Sequence, residues 1–435
     1  MALGGGAFTA QNKILPGAYI NFASAARASA SLSDRGVATM PVSFDWGPQN
    51  EVTEVSQADF QKNSMKLFGY DYTAPQLKGL RDLFRNIRLA YLYRLGVGGA
   101  KAANEYATAV YAGARGNDMK VVIRENPDDS TKMDVSLYFD TALVDHQTVP
   151  TAGELVDNDF VTWKPGATLT QTAGAPLFGG VSPVVTNADY QTYLDRIEGY
   201  SFNGIGCPSG DPLVKGLFSA FTQRMRDTLG IKFQCVSFDY ADDYEGSVNV
   251  ANAVTDVNAD AWSLVYWVTG VISGTPVNQS ALNRRYDGEF TPNVNYTQQQ
   301  LENAIKGGKF ALHRVGSDVR VLADINSLVS VTAEKGEIFK ENQTVRVTDQ
   351  IANDIAVMFS TKYLGAVPND ADGRISLWSD IVRHHEQLQT MRAIENFSGD
   401  DVRVTMGDTK RSVVVNEAIT VVNAMAQLYM TVTVE

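Results

Sequence analysis

The segment Leu428-Tyr429-Met430-Thr431-Val432-Thr433-Val434-Glu435 alternates apolar and polar residues along its whole length. A period of two predicts a β-strand, because successive side chains of a strand point to opposite faces. The eight residues span roughly 26 Å at about 3.3 Å each. A two-faced strand of this length indicates that one face is buried, either against the chain's own domain or against a neighbouring subunit to which the strand is donated.

A second isolated extended segment is predicted near the other end, at Leu15-Pro16-Gly17-Ala18-Tyr19-Ile20-Asn21-Phe22. The small-residue stretch 23–31 follows it and has little pattern of its own, so it reads as a spacer. Both alternatives, folding back and donation to a neighbour, apply to this segment as well.

Length and composition bound the class of protein. The 435 residues exceed one ordinary core and predict two to four domains, and 44% hydrophobic with 20% charged residues is typical of folded globular protein. A net charge of −12, with Lys410-Arg411 as the nearest approach to a basic cluster, argues against direct contact with nucleic acid or anionic lipid.

Cysteine usage and hydropathy bound the compartment. Cys207 and Cys235 are the only cysteines, which excludes a disulfide framework and predicts a reduced, cytoplasmic origin. The N-terminal residues lack the charged and apolar regions of a signal peptide. The most apolar window, 261–274, is too short to span a bilayer and is predicted to be a core strand, so no membrane insertion is expected.

Helical and extended patterns alternate over much of the chain, which predicts an α+β multidomain fold with a mixed α/β core. Short strands separated by polar turns, without a helical period, predict an all-β insert at 105–182. Two helices, 347–364 and 377–394, precede strands at 402–406 and 412–422, which predicts two helices on an antiparallel sheet. The predicted division is 1–30, an N-terminal arm and linker; 31–104, the first part of the core; 105–182, the β insert; 183–330, the α/β core; 331–422, the C-terminal α+β domain; and 423–435, a C-terminal donor-strand arm.

No residues assemble a convincing catalytic or cofactor site. The glycine cluster Gly96–Lys101 departs from the phosphate-loop spacing and has no Ser or Thr after the lysine for a magnesium ion. His384 and His385 are adjacent in a predicted helix, whereas zinc on a helix needs histidines four residues apart, so one half-buried and one solvated histidine are expected.

The acidic stretches and the thiols are also weak candidates. The loop with Asp239, Asp242, Asp243 and Glu245 has calcium-binding residue types, and 370–373 is faintly similar to an EF-hand loop, but its glycine falls at the wrong position. Both are predicted to be turns. The two cysteines have no histidine nearby in sequence, which disfavours a thiol nucleophile. No catalytic residue, cofactor or metal is predicted.

Several motifs together resemble those of contractile phage tail sheath proteins, of the type found in myophages and in defective prophage or phage-tail-like bacteriocin particles of Gram-positive bacteria. The matching stretches are Pro16-Gly17-Ala18-Tyr19-Ile20-Asn21-Phe22, Tyr93-Arg94-Leu95 with Gly98-Gly99-Ala100-Lys101-Ala102, Ala112-Gly113-Ala114-Arg115-Gly116-Asn117-Asp118, 347–355, Gly365-Ala366-Val367-Pro368-Asn369, Leu377-Trp378-Ser379-Asp380-Ile381 and Leu428-Tyr429-Met430-Thr431-Val432.

The resemblance implies a structural subunit that polymerises as stacked hexameric rings around a tail tube and contracts to drive the tube through a bacterial envelope. It also implies that both arms add strands to a neighbour's C-terminal sheet. The subunit-linking residues would be Pro16, Gly17, Tyr19, Ile20, Phe22, Leu428, Met430, Val432 and Val434.

The partners implied are further copies of this chain, the tail tube protein, and the baseplate and tail terminator proteins. The expected location is the contractile sheath of a virion tail that assembles in the host cytoplasm and is released by lysis. The opposed hypothesis is a nucleotide-binding, hydrolase-like enzyme carried on the α/β portion.

Overall fold

A computed structural model describes residues 32–434 of the chain. The chain forms two compact units. The larger unit contains residues 32–39, Gly79–Leu89 and 198–434, and the smaller unit contains Met40–Lys78 and Ala90–Ile197.

The described residues contain twenty strands and eight α-helices. The strands are β1 (Val37–Val42), β2 (Val52–Ser56), β3 (Leu89–Arg94), β4 (Lys101–Ala103), β5 (Ala107–Ala112), β6 (Met119–Glu125), β7 (Met133–Phe139), β8 (Ala142–Val149), β9 (Val161–Trp163), β10 (Thr172–Pro176), β11 (Gly204–Gly206), β12 (Gln234–Phe238), β13 (Ser247–Val250), β14 (Lys309–Phe310), β15 (Leu312–Val315), β16 (Asp318–Val321), β17 (Ile394–Glu395), β18 (Val402–Met406), β19 (Val413–Glu417) and β20 (Thr420–Val421). The helices are α1 (Gln57–Phe68), α2 (Lys78–Phe84), α3 (Asn187–Ile197), α4 (Pro212–Gln223), α5 (Val265–Gly274), α6 (Gln298–Lys306), α7 (Asn342–Met358) and α8 (Ala371–Thr390), with π-helical turns at Arg224–Thr228 and Phe359–Tyr363 extending α4 and α7.

The smaller unit is dominated by antiparallel strands. Strands β10, β6, β7 and β8 form one sheet in that order, and β4, β5 and β9 form another. Alternate residues of β6 and β7, such as Val121 and its partner Leu137, are buried on one face, where they meet the aromatic side chains of Trp46, Phe139 and Phe160. Among the described residues, 105–182 contain strands and short 3₁₀ turns but no α-helix.

The larger unit contains a parallel sheet in the order β14, β13, β12, β11, β1. All residues of β11 and β13 are buried, as expected for strands covered on both faces. Helix α5 contacts β11 and β12, and α4 contacts β12. Asp211 begins α4 by accepting a hydrogen bond from Leu213 N, and Pro212 occupies the first helical position, where its missing N–H has no cost.

The window 261–274 corrects the predicted core strand, because most of it is the helix α5. Its β-branched and aromatic residues favour a strand locally, and a short apolar run cannot distinguish a buried strand from a buried helix. The helix packs closely against a distant part of the chain. At its last residue, Gly274, an added Cβ would lie 1.6 Å from Asn86 O. Only a glycine permits this approach of two backbones.

The C-terminal part of the larger unit corrects the predicted single antiparallel sheet. Among the described residues, β17 pairs with β20 and β18 pairs with β19, which makes two separate two-stranded ribbons. Helix α8 also begins six residues earlier than predicted, because the Asp370 carboxylate caps it by accepting from Gly373 N at 2.8 Å. The stretch 370–373 is therefore a helix start rather than a turn.

One buried carboxylate in the larger unit makes stability depend on pH. Burial raises the pKa of Asp82 to about 6, although Glu289 N donates to it at 2.8 Å and Tyr286 Oη at 3.2 Å. Since the unfolded pKa is about 3.9, the folded state binds the extra proton, and this stabilisation is present below about pH 4 and lost as the pH rises through 6.

We therefore expect Asp82→Asn to be about as stable as the wild type at pH 4 and up to ~3 kcal/mol more stable at pH 7. Urea unfolding at both pH values measures the difference. Asp195→Asn, which alters an exposed carboxylate on α3, is the control expected to show no such change. A difference between Asp82→Asn and the wild type that stays constant with pH would contradict the prediction.

Candidate subunit-linking site

The C-terminal arm (423–435) exposes the apolar side chains that its sequence pattern predicts to be buried. Leu428, Met430, Val432 and Val434 are 85%, 74%, 68% and 88% exposed. No strand is formed by residues 425–434, and the described chain offers them no ladder partner. In the single chain, therefore, this segment does not pack onto its own C-terminal helices.

The predicted linking residues of the N-terminal arm, Pro16, Gly17, Tyr19, Ile20 and Phe22, lie outside the described residues. The structure therefore does not relate them to the C-terminal set. The first residue that the structure describes is Leu32, which directly follows the N-terminal arm and its linker.

The C-terminal arm is rooted on the first turn of α7. Gln343 Nε2 donates to Val422 O and Ala424 N donates to Gln343 Oε1, each at 3.0 Å. Because a neighbouring strand would bond the same carbonyl and amide, the Gln343 side chain takes the place of a strand partner. Thr344 and Asn423 add a side-chain contact at 3.2 Å. We call Val422–Ala424 the C-terminal root.

The residues that follow the N-terminal arm are held further along the same helix. Ser33 Oγ donates to Asp354 Oδ1 at 2.5 Å, and Gln350 Nε2 donates to Ser33 O at 3.2 Å. Leu32 N donates to Gln387 Oε1 of α8 at 3.2 Å, and the Leu32 side chain packs against the apolar core of α7 and α8. We call Leu32–Ser33 the N-terminal root.

The adjacent histidines of α8 correct the prediction of one half-buried and one solvated ring, because both are buried. His384 Nε2 lies 2.9 Å from Asp354 Oδ2 and joins the cluster that holds Ser33. His385 Nδ1 lies 2.9 Å from Ile381 O, and its ring stacks on Phe397. The two rings therefore serve separate structural contacts and do not converge on a metal position.

An apolar groove of about 290 Å³ borders β20. Strand β20 pairs with β17 along one edge, and the described chain places no strand on its other edge. The groove is lined by Ile338, Phe339, Thr344, Thr348, Ile419, Thr420 and Val421. An open edge beside apolar side chains can accept an added strand.

The other chemical candidates are occupied by protein contacts. Loop 96–100 leads into the strand β4 rather than a helix, so no helix N-terminus is available to a phosphate there. Asp242 accepts from the hydroxyls of Ser219, Ser247 and Ser327 at 2.6–2.8 Å. The described residues contain no cluster of His, Cys, Asp or Glu arranged to hold a metal ion.

Both cysteine thiols are buried. Burial raises the pKa of the Cys207 thiol well above its usual value and that of Cys235 to about 12, so both are poor nucleophiles. No helix between residues 32 and 434 combines the length and apolar character needed to cross a bilayer.

Four domain families match consecutive parts of the chain. They are the tail sheath protein Gp18 domain III N-terminal region at 35–95, the phage tail sheath protein beta-sandwich domain at 97–182, the phage tail sheath protein central domain at 184–327, and the phage tail sheath C-terminal domain at 334–435.

Relatives and solved structures point the same way. The phage-like element PBSX protein XkdK of Bacillus subtilis is 33% identical, over 99% of this chain and 100% of its own. The crystal structure of the sheath tail protein from Desulfitobacterium hafniense shares 35% identity and a TM-score of 0.82, over 94% of this chain and 98% of that one. The helical sheath of the anti-feeding prophage in its contracted state shares the fold, with a TM-score of 0.56 at 13% identity over 96% of this chain and 98% of that one.

These matches replace the hypothesis of a nucleotide-binding enzyme, since the matched families are structural. The chain is related over 99% of its length to a protein of a phage-like element, and it contains four sheath domains in succession. Both findings indicate the same family. The chain belongs to the phage tail sheath protein family, and it is a structural sheath subunit rather than an enzyme.

Proposed function

We propose that this subunit polymerises as stacked hexameric rings around a tail tube and contracts to drive the tube through a bacterial envelope. The observation that supports this best is the exposure of alternating apolar residues at 428–434 in a chain of the sheath family. Electron microscopy of the purified protein tests it: helical tubes or stacked rings are expected, and a chain that stays monomeric at high concentration would contradict the proposal.

Strand donation is the proposed link between subunits. Residues 428–434 of one copy, and the N-terminal segment with Tyr19 and Ile20, would add strands to the C-terminal ribbons of neighbours. The unpaired edge of β20 and its apolar groove support this, as does β19, which among the described residues pairs only with β18 and leaves the side chains of Val414 and Val415 exposed. The described chain then displays both an exposed segment with the sequence pattern of a strand and strand edges without a partner.

The energetics favour donation only because apolar side chains are buried. Ordering the arm costs about 1–2 kcal/mol per residue, and added ladder hydrogen bonds return about 0.5–1.5 kcal/mol each. These backbone contributions nearly cancel. Burial of four apolar side chains adds about 1.5–3 kcal/mol each and should therefore decide whether the arm binds.

The division of the chain follows the same proposal. Residues 1–30 and 423–435 would be linking arms, 31–104 with 183–330 the sheath core, 105–182 an outer β insert, and 331–422 the domain that contacts the tube. The antiparallel strands at 105–182 and the separate apolar core of α7 and α8 support these limits.

The proposed partners are the tail tube, the baseplate and the tail terminator, with assembly in the host cytoplasm and release by lysis. Membership of the phage tail sheath family supports a place in a virion tail. The acidic balance of the chain supports contact with proteins rather than nucleic acid, since its net charge is −12.

Contraction would draw on energy stored in the assembled lattice, with subunits moving as nearly rigid bodies while the arm linkers hinge. The C-terminal hinge would lie within 416–427, and part of this range is already held in the described chain. Residues 416–417 belong to β19 and 420–421 to β20, and Ala424 N is bound by Gln343. The freely exposed part of the linker therefore begins after Ala424.

Without bound fuel, contraction is expected to be spontaneous and one-way. Mild urea or acid, with no nucleotide present, should convert extended particles to contracted ones in a single exothermic step, measured by calorimetry and electron microscopy. A disulfide that joins position 430 to the neighbour's strand should not prevent it, because donated strands stay paired. A requirement for ATP, or re-extension once the trigger is removed, would overturn this mechanism.

A further inference from the structure

Helix α7 is fixed to the body of the larger unit by a row of polar side chains spaced three and four residues apart. Arg346 donates to Gln279 O at 2.7 Å, Asp349 binds Arg226 at 2.6 Å, and the Asn353 amide bonds both the N and the O of Lys232, at 3.0 and 2.7 Å. These contacts lie along one side of the helix, because 346, 349 and 353 follow the helical repeat. Helix α7 and the body are therefore held together over several turns.

A second row on the neighbouring side of α7 binds both arm roots. Gln343 holds the C-terminal root, and Gln350 and Asp354 hold the N-terminal root. At about 100° per residue these three positions fall within roughly 40° of one another. The helix is unbroken between them, so positions 343 and 354 lie about 16 Å apart along one rigid axis.

These side chains are buried polar groups that bond the roots. Gln343 bonds the C-terminal root alone, whereas Gln350 and Asp354 bond Ser33 and also each other, at 2.8 Å, and Asp354 meets His384 as well. Gln343, Gln350 and Asp354 are all less than a tenth exposed. A buried amide or carboxylate that loses its partner carries an uncompensated desolvation cost. Departure of a root from α7 therefore removes hydrogen bonds from these buried groups, both of them at Gln343 and part of them at Gln350 and Asp354, so each root resists displacement when its arm is pulled.

We propose that α7 is the element that couples the two arms of one subunit, with Gln343, Gln350 and Asp354 as positioning residues for the roots. This inference rests on the proposed function, because it assumes that both arms are bound by neighbours. A displacement imposed on one arm then reaches the other through α7 and the body, so adjacent rings change state together. The two ends of the chain are linked because Gln343, Gln350 and Asp354 lie on one helix and on the same side of it.

The test compares Gln343→Ala and Gln350→Ala with Asn353→Ala. The control is closely matched, because Asn353 lies on the same helix and makes the same two-bond amide contact with backbone, but to Lys232 in the body instead of a root. The first readout is hydrogen exchange of the soluble subunit. We expect Gln343→Ala to speed exchange of the Ala424 amide roughly 3- to 10-fold and Asn353→Ala to leave it unchanged.

The second readout is electron microscopy of assembled particles after a urea trigger. We expect the wild type and Asn353→Ala to contract along their whole length, and Gln343→Ala and Gln350→Ala to give several-fold more particles contracted over part of their length. Loss of assembly in the two root variants alone would support the same assignment, since only the roots differ. Complete contraction by all variants, or an equal defect in Asn353→Ala, would overturn it.

Failure of the proposed function looks different. If the wild-type chain forms no sheath, the function is wrong, whereas the coupling is wrong only when wild-type sheaths form and the root variants behave like the control. The exchange experiment needs no polymer, so unchanged exchange of Ala424 in Gln343→Ala would reject the root contact on its own.

Discussion

Deletion from Leu428, or the single change Val432→Asp, is expected to leave a folded subunit that does not polymerise. The fold should survive because Val432 is exposed in the single chain. Polymerisation should fail because donation would bury this side chain: the change loses about 1.5–3 kcal/mol of apolar burial and adds a desolvated carboxylate that costs several kcal/mol. Circular dichroism measures the fold, and sedimentation with electron microscopy measures assembly.

Thr433→Asp is the matched control for this experiment. It adds the same charge one residue away, on the opposite face of the predicted strand. We expect Thr433→Asp to assemble, since its side chain would lie on the polar face. Normal sheaths from the deletion would refute donation of this arm, and equal loss of assembly in both point variants would show that charge rather than burial decides.

Asp349→Ala is expected to give the largest loss of subunit stability, about 3–5 kcal/mol. The Asp349 carboxylate accepts two hydrogen bonds from the buried guanidinium of Arg226, at 2.6 and 2.9 Å. Burial acts to lower the pKa of Arg226, but Asp349 outweighs it and the pKa is raised, so the arginine stays charged. Removal of Asp349 leaves a buried charge without its partner.

Urea unfolding measures this loss of stability. A second arginine–carboxylate ion pair, which is more exposed to solvent, supplies the control. Arg224 and Glu198 also form a two-pronged contact in the larger unit, at 2.7 and 3.3 Å, but Arg224 is exposed and Glu198 is partly exposed. We expect Glu198→Ala to cost less than about 1 kcal/mol. The double change Arg226→Met with Asp349→Leu should recover most of the stability, because it removes both charges. Equal costs for Asp349→Ala and Glu198→Ala would contradict the prediction.

Local sequence signals predict the structure well where the physical cause is itself local. The starts of α4 and α1 have such local causes, since Asp211 and Ser56 accept from backbone amides in the first turns of these helices. The antiparallel pairing at 402–417 is confirmed, because alternation and a polar turn specify a hairpin.

Local sequence signals do not predict the structure correctly where the residue that decides it is distant in sequence. Most of the window 261–274 folds as a helix, and its last residue Gly274 packs directly against the backbone of Asn86, a contact that no local pattern reveals. His384 and His385 are both buried because Asp354 and Phe397 cover them. The contact of Gln343 with Val422 was missed for the same reason, since a glutamine at the start of a helix carries no local signal for a partner 79 residues away.

The sequence by itself determined the alternating pattern of residues 428–434, the absence of a disulfide framework, the acidic balance and the resemblance to sheath proteins, because each depends on residue identity and spacing alone. Only the tertiary structure decided that the segment 428–434 is left exposed and that one helix holds both arm roots. The physical reason is that burial and hydrogen bonding are settled by the partners a fold brings together. Ser33 and Asp354 are 321 residues apart in the chain. Their contact exists only because α7 lies beside the residues that follow the N-terminal arm.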